Sequence, residues 1–369
     1  MPKFTALRLT LPALLAGILS ATATVNAEET VHLYNWNDYF AEDTLQEFQK
    51  QTGIRPILDL YDNNDILEAK LLAGSSGYDV VFPTARPFGA RHIKAGIYQP
   101  LDKAKLAGLD QMDPAIMAGL KELDPDNARL VPYLLGTTGI GVNVAKVKEA
   151  LGEDAPTDSW AILFDPKLAA KLKGCGISML DDATEAFSAA LAYLGKDPNS
   201  RTDKDLAAAA EVLKAARPNI RYFHSSQYIS DLANGDLCVA HGYSGDILQA
   251  KSRAEEAAKG VQVGYHIPKE GAVLATDVMA IPKDAPNPAA ANAFIAFILQ
   301  PAVIARITDY VKYANANTAA TPLVSAEVRD DPGIYPPAAV KEKFVVLKTP
   351  TDKEQRKVNN LWTRIKAER

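Results

Sequence analysis

The sequence is poor in the residues that enzymes most often use as nucleophiles, bases or metal ligands, since its 369 residues include two cysteines and five histidines. The histidines, at positions 32, 92, 224, 241 and 266, show no i, i+3 or i, i+4 pairing, and the chain lacks G-x-S-x-G, H-E-x-x-H and C-x-x-C motifs. Without a nucleophile or metal beside them, carboxylates such as Asp182 and Glu185 suit ligand pairing better than acid–base catalysis. We therefore expect a protein that is not an enzyme and uses no cofactor and no metal.

Long hydrophobic runs are also absent. After the N-terminal segment, no part of the chain approaches the roughly 18 apolar residues of a membrane-spanning helix. The N-terminus has the parts of a secretory leader: Lys3 and Arg8, the short apolar run LTLPALLAGIL, and small residues up to Ala27. No cysteine for lipid attachment lies near the cleavage site. We expect residues 1–27 to be a signal peptide and the mature chain, beginning near Glu28, to be a soluble protein of the periplasm.

Positive charge is not in excess, because 40 Lys and Arg residues stand against 45 Asp and Glu residues, a net charge of −5. Cleavage of the leader removes Lys3 and Arg8 and no acid, which moves the net charge to −7. This balance argues against nucleic acid and anionic membrane surfaces as partners and leaves small cations open.

Strand and helix patterns alternate after the leader. Apolar β-forming segments at 31–34, 54–60 and 78–82 are separated by segments with helical spacing at 42–52 and 64–73. The apolar, glycine-containing segment 130–144 is typical of an extended strand that crosses between domains, and 159–275 shows a second alternation. The pattern predicts an α/β fold with helices on both faces of the sheet and a hinge into a second domain.

Acidic and aromatic side chains gather where several predicted strands end. The first strand runs into Trp36, Asn37, Asp38 and Tyr39, and loops at the carboxyl ends of strands in open α/β sheets bind ligands. Rings beside a carboxylate suit a small organic cation. The alternative is that Trp36 and Tyr39 are core aromatics and that Asp38 caps the next helix. Later candidates of the same kind are Thr84, Asp182, Glu185, Tyr243, Asp246, Asp277 and Tyr313.

The two cysteines, Cys175 and Cys238, lie beside short apolar segments that we predict to be neighbouring strands. In an oxidising compartment a single pair of this kind is compatible with a structural disulfide. The alternative is a pair of buried free thiols.

Long segments of the chain are similar to one known family. They include VHLYNWNDYFAEDTLQEFQKQTG, LLAGSSGYDVVFPT, RPNIRYFHSSQYISDLANGD, GYSGD and YANAN. From about residue 31 to the end, the chain resembles the periplasmic polyamine-binding proteins of ABC importers, most of all the putrescine-binding type. The resemblance implies a two-lobed type II periplasmic binding protein with a ligand cleft between the lobes and a hinge of crossing strands. It also implies one lobe of residues 28–136 plus about 277–345 and another of 137–276 plus about 346–369.

The resemblance further implies a set of ligand residues and partners. The family's pocket positions fall on Trp36, Asp38, Tyr39, Thr84, Glu185, Asp246, Asp277 and Tyr313. In relatives the acids hold the terminal ammonium groups, the aromatics wall the methylene chain, and a cysteine pair matching Cys175 and Cys238 is bridged. The expected partners are a small cationic amine and, transiently, the membrane subunits of an ABC permease, with the protein a monomer that binds no nucleic acid.

Several positions depart from the putrescine-binding pattern, and three of them join the predicted ligand set. Asn37 stands where members usually have Ser or Thr, Tyr243 where the putrescine type has Trp, and Asp182 where spermidine-preferring members carry an acid. Ala275 replaces Phe or Trp, which should widen one end of the cleft. Arg86 either faces a carboxylate, which would favour an ω-amino acid, or lies in solvent at a helix start.

An ammonium group buried in a cleft needs a carboxylate, since its desolvation is otherwise too costly. The ligand stays open among putrescine, spermidine, agmatine, cadaverine and an ω-amino acid such as 4-aminobutyrate. An exported enzyme acting on amines is the alternative from another class. The predicted roles are Asp246 with Asp38 and Asn37 at one terminal amine, Asp277 and Glu185 at the other, and Asp182 at a third or more distant amine.

Overall fold

The computed structural model of the protein describes residues 1–2 and 28–368. The predicted signal peptide, residues 1–27, lies outside the described residues apart from its first two. The strands are β1 (Thr30–Trp36), β2 (Arg55–Tyr61), β3 (Val80–Val81), β4 (Val131–Asn143), β5 (Ile177–Met179), β6 (Ile220–Phe223), β7 (Val239–Tyr243), β8 (Val263–His266), β9 (Ala272–Met279), β10 (Ala314–Asn315) and β11 (Phe344–Val345). The α-helices are α1 (Thr44–Thr52), α2 (Asn64–Leu72), α3 (Ala90–Lys94), α4 (Pro114–Lys121), α5 (Val144–Leu151), α6 (Ala161–Phe164), α7 (Pro166–Leu172), α8 (Ala183–Tyr193), α9 (Asp203–Ala216), α10 (Gln227–Asn234), α11 (Ser244–Ala257), α12 (Pro288–Ile298), α13 (Pro301–Val311), α14 (Ala326–Arg329), α15 (Ala338–Lys341) and α16 (Asp352–Ala367).

The first sheet is parallel and has the order β2-β1-β3. Leu33 in the middle strand lies beside Leu58 of β2 and Val80 of β3. The buried face of this sheet packs with Phe48 of α1 and with α12 and α13 in one hydrophobic core. Because parallel strands end at the same edge of a sheet, Trp36 and the residues that follow β2 and β3 meet at one rim.

Strand β4 crosses from this first core to a second one. Its N-terminal part pairs with β9 and β10, and its C-terminal part pairs with β7 and β8. Val131 and Tyr133 are buried in the first core, whereas Ile140 and Val142 are buried in the second. The predicted crossing strand at 130–144 is therefore confirmed, and β9 runs antiparallel beside it.

The second core gives the molecule its two-lobed α/β architecture. It is organised around buried side chains such as Trp160 and Phe187, and Trp362 and Ile365 of α16 pack into it. The larger sheet, of order β11-β9-β4-β7-β5-β6, extends through this lobe. For the lobe boundaries we propose residues 28–136 with about 277–345 and residues 137–276 with about 346–369.

Among the described residues, no single helix is long and apolar enough to cross a membrane. Helices α12 and α13 have that length and composition only when taken together, and the pair bends by 74° at the break between them. Both helices contribute side chains to the first core, among them Phe294 and Ile304.

A disulfide joins Cys175, just before β5, to Cys238, just before β7, which confirms the predicted bridge. The two cysteines are 63 residues apart in sequence, and their Cα atoms are 5.5 Å apart. The bridge thus ties together two neighbouring strands of the second lobe, whose pairing places Ile177 beside Val239.

Replacing both cysteines, as Cys175→Ser with Cys238→Ala, should lower the free energy of unfolding by about 2–4 kcal/mol, because the bridge restricts the unfolded chain. Alanine suits position 238 because that side chain is fully buried. The measurement is urea unfolding of both proteins with and without a thiol reductant. Reductant should lower the stability of the wild type and leave the variant unchanged. Equal stability of the two proteins in oxidising buffer would contradict the expectation.

Candidate functional site

One cavity, of about 50 Å³, lies between the rim of the first sheet and the starts of α8 and α11. Ten of the eleven predicted ligand residues line it, the exception being Asp38. Their contact with a ligand stays a prediction. The ten are Trp36, Asn37, Tyr39, Thr84, Asp182, Glu185, Tyr243, Asp246, Asp277 and Tyr313.

Strand ends and helix starts place these side chains. Trp36 ends β1 and is held by a hydrogen bond of 2.7 Å from its indole Nε1 to the carbonyl oxygen of Phe82, next to the end of β3. On the other side, Asp182 caps α8, its Oδ1 accepting from the backbone N–H groups of Thr184 at 2.8 Å and Glu185 at 3.0 Å. An acid at this position also benefits from the partial positive charge of the helix N-terminus.

Asp246 is buried at the start of α11 and is held by two phenols. Tyr228 donates a hydrogen bond of 2.7 Å to its Oδ2, and Tyr313 donates one of 2.8 Å to its Oδ1. Burial raises the pKa of Asp246 to about 7, although the two phenol hydrogen bonds oppose that rise. The carboxylate is thus oriented by neutral donors and has no cation in hydrogen-bond contact among the described residues.

Asp277 is held in the same way on the opposite wall. Thr84 donates a hydrogen bond of 2.6 Å to its Oδ1, and Tyr39 donates one of 2.6 Å to its Oδ2. The Thr84 hydroxyl is itself oriented by Asn64, whose amide nitrogen donates to it at 3.0 Å. Burial raises the pKa of Asp277 to about 6, with both hydroxyl hydrogen bonds acting in the opposite direction.

Glu185 and Asp182 form a third acidic position with fewer donors. Glu185 is 7% exposed, and its carboxylate accepts no hydrogen bond of normal geometry from the described residues, although the nearby Thr138 hydroxyl lowers its pKa slightly. Burial, followed by the charge of Asp182, raises the pKa of Glu185 to about 8. Burial also raises the pKa of Asp182. A cation bound at this end of the cavity would therefore gain the most electrostatic stabilisation.

Aromatic rings close the space between the acids. The ring centroids of Trp36 in β1 and Tyr243 in β7 are 6.4 Å apart, and those of Tyr39 and Tyr313 are 5.2 Å apart. Tyr313 fits because its neighbours lack side chains: a Cβ at Gly136 would lie 2.6 Å from its ring, and one at Gly245 would overlap it. Flat, partly polar walls of this kind suit a slim cationic chain.

Arg86 lines the cavity, yet its charge is directed at another partner. Its Nη2 donates to Glu122 Oε2 at 2.7 Å and to the carbonyl oxygen of Gly119 at 3.3 Å. The Arg86 side chain is 23% exposed and that of Glu122 is 72% exposed. Of the two possibilities for Arg86, neither describes it fully, because it borders the cavity but pairs with an acid outside it.

Asp38 does not line the cavity, although its charge is close enough to Asp246 to raise the pKa of that carboxyl, and its role at an amine stays a prediction. Asp38 has the left-handed backbone angle φ 53°. Its carboxylate is 41% exposed and pairs with Arg253 Nη2 at 2.8 Å. It does not cap α1 either, since Asp43 occupies the cap position.

Sequence reasoning missed several residues that shape the cavity. Asp62 and Asn64 follow β2 at the same rim, so the strand-end rule that identified Trp36 would have found them. Tyr228, which orients Asp246, lies inside α10 and carries no such signal. Within the residues that the structure describes, no three His, Cys, Asp or Glu side chains are arranged to hold a metal ion.

Comparisons with known proteins agree with this architecture. The profile of the bacterial extracellular solute-binding protein family matches residues 43–336. The chain is 52% identical to a putrescine-binding periplasmic protein of Escherichia coli over 361 residues, 97% of each chain, and 52% identical to one of Pseudomonas aeruginosa over 353 residues, 96% of each. A solved structure of a putative spermidine/putrescine ABC transporter from Listeria monocytogenes is similar with a TM-score of 0.83 at 30% identity, covering 92% of this chain and 100% of that one. The chain therefore belongs to the bacterial extracellular solute-binding proteins, in the same family as the periplasmic polyamine-binding proteins.

Proposed function

We propose that this chain is a periplasmic solute-binding protein that captures a linear polyamine, such as putrescine or spermidine, between its lobes and delivers it to an ABC permease. The observation that carries the proposal is a narrow cavity in which buried carboxylates alternate with aromatic rings and no cation pairs with the acids within the described residues. Relatives named for putrescine binding support it.

The arrangement of the acids suits a chain with a charge at each end. Asp246 would hold one ammonium group, and Asp277 with Glu185 would hold the other. Each ammonium group leaves water on binding, so a carboxylate must replace the lost hydration. Asp182 would be available to an amine farther along a longer ligand.

The size and walls of the cavity favour an unbranched ligand. The cavity is narrow, about 50 Å³ between facing aromatic rings, which suits a thin methylene chain. Trp36, Tyr39, Tyr243 and Tyr313 would cover that chain and add cation–π attraction of about 0.5–2 kcal/mol where a charge lies over a ring.

Binding residues on both sides of the cleft give the ligand a means of stabilising closure. Trp36 and Thr84 lie on the first-sheet side, and Glu185 and Asp246 lie on the side of α8 and α11. A ligand that touches both sides favours the closed form, which a permease could then recognise. We propose that the protein acts as a monomer and without enzymatic activity.

The test is calorimetry of the mature chain with putrescine, cadaverine, spermidine, agmatine and 4-aminobutyrate, with each mixture also checked for consumption of the amine. We expect one equivalent of a di- or triamine to bind at least about tenfold more tightly than 4-aminobutyrate, because the latter's carboxylate would meet the cavity's acids. Tighter binding of 4-aminobutyrate would indicate an ω-amino acid carrier. Consumption of any amine would indicate an enzyme.

A further inference from the structure

A second cavity, of about 520 Å³, lies directly beside the one described above. It is bounded by α4, by the crossing strands β4 and β9, and by residues 346–348. Arg86, Ala275 and Leu347 line both cavities. The two spaces are therefore separated by a wall only one side chain thick.

One of the residues shared by the two cavities, Ala275, is a small residue on a crossing strand. Ala275 of β9 lies directly opposite Gly136 of β4, and Gly136 also lines the first cavity. The space over Gly136 is filled by the ring of Tyr313. Ala275 lines both cavities and carries no atoms beyond Cβ, so the wall is thin at Ala275.

The second cavity has a different chemical character from the first. Its walls are largely apolar and include Leu135 and Leu274 from the crossing strands. Its charged residues are Arg86 and Lys348 against the single acid Glu122. A second ammonium group would therefore be repelled there, whereas a neutral apolar group would be accommodated.

Arg86 lies at the boundary between the two cavities, and some of its N–H donors make no hydrogen bond to the described residues. The hydrogen bonds that it makes to described residues, those to Glu122 and the Gly119 carbonyl, use only Nη2. A guanidinium group has five N–H donors, and it has no acceptor. A carbonyl oxygen placed next to Ala275 would find a donor in Arg86.

We propose that the two cavities together bind a diamine that carries a short acyl group on one nitrogen. The free ammonium group lies among the carboxylates of the first cavity, the amide oxygen accepts a hydrogen bond from Arg86, and the acyl chain occupies the apolar second cavity. This inference rests on the proposed function, because it uses the same acids to hold the amine.

The experiment is calorimetry of the mature wild-type chain with putrescine, N-acetylputrescine, N-butyrylputrescine and N-hexanoylputrescine. Burial of the acyl chain should raise the affinity about fourfold for each added methylene group. Affinity that is flat or falls as the acyl chain lengthens would overturn the inference. If putrescine binds normally in that case, the proposed function stands; if no amine binds, both proposals fail.

Substitutions at Ala275 and Arg86 test where the acyl group binds. Ala275→Phe places a ring in the thin wall and should lower the ratio of N-butyrylputrescine affinity to putrescine affinity at least about tenfold. Arg86→Met, which keeps the length of the side chain but removes its donors, should lower the same ratio about fivefold.

The matched control is Ala118→Phe, an exposed position of α4 that lines neither cavity, where the ratio should not change. An unchanged ratio in folded Ala275→Phe and Arg86→Met would overturn the inference.

Discussion

Asp246→Asn should weaken putrescine binding at least about 30-fold, corresponding to a loss of about 2–5 kcal/mol. The substitution keeps the size of the side chain but leaves a buried ammonium group without its carboxylate. The phenols of Tyr228 and Tyr313 cannot compensate, because both are donors to the carboxylate in the wild type. Calorimetry at a pH near 8 measures the loss, and circular dichroism checks that the variant is folded.

The matched control is Asp38→Asn, the same change at the acid that pairs with Arg253 outside the cavity lining. An exposed ion pair contributes about 1 kcal/mol at most, so the affinity should fall less than about fivefold. A loss below tenfold in Asp246→Asn would count against the assigned role of Asp246. A larger loss in Asp38→Asn than in Asp246→Asn would restore the sequence-based role of Asp38.

Putrescine binding should weaken roughly 100-fold or more as the pH falls from about 8 to about 5.5. Burial raises the pKa of Glu185 to about 8, of Asp246 to about 7 and of Asp277 to about 6, so each takes up a proton as the pH falls through that value. An ammonium group favours the ionised form, so binding lowers these pKa values and releases protons. Alkyl ammonium groups themselves stay charged over this range, because their pKa lies near 10.

Calorimetry at each pH in two buffers of different ionisation enthalpy measures both the affinity and the number of protons released. The observed heat should depend on the buffer at pH 7, and the dependence should shrink at pH values above 8.5. Affinity that is constant between pH 8 and pH 5.5, with no buffer dependence, would contradict the expectation. The other charged groups around these acids are Asp38, Asp62, Asp182, Arg86 and Arg253. Of these, Arg86 is already paired with Glu122 and Arg253 with Asp38.

Much of the fold could be predicted from local patterns. The alternation of strand and helix segments before residue 83 correctly predicted β1, α1, β2, α2 and β3, because hydrophobic periodicity reflects which face of each element is buried. The apolar run at 130–144 correctly predicted β4. The pairing of β4 with four other strands could not be predicted, since those partners lie far away in sequence.

The cavity was largely predictable because parallel strands end at one edge, which brings residues from distant parts of the chain to a common rim. This rule locates a backbone position, but it does not give the direction of the side chain. Asp38 lies one residue before Tyr39 at that rim, yet its carboxylate pairs with Arg253 while the Tyr39 hydroxyl donates to Asp277. The support of Asp246 by Tyr228 depends on how α10 packs against α11, for which the sequence carries no local signal.

By itself, the sequence predicted an export signal and an acidic mature chain, and it determined the α/β class and the residue types gathered at strand ends. These properties follow from composition and short-range periodicity, which do not depend on the rest of the molecule. Only the tertiary structure decided which acids face one cavity, which donors orient them, that the charge of Arg86 is directed to Glu122, and that Ala275 lines both this cavity and a second one beside it. Side-chain direction and the space between elements arise from packing of segments that are distant in sequence, so no local pattern encodes them.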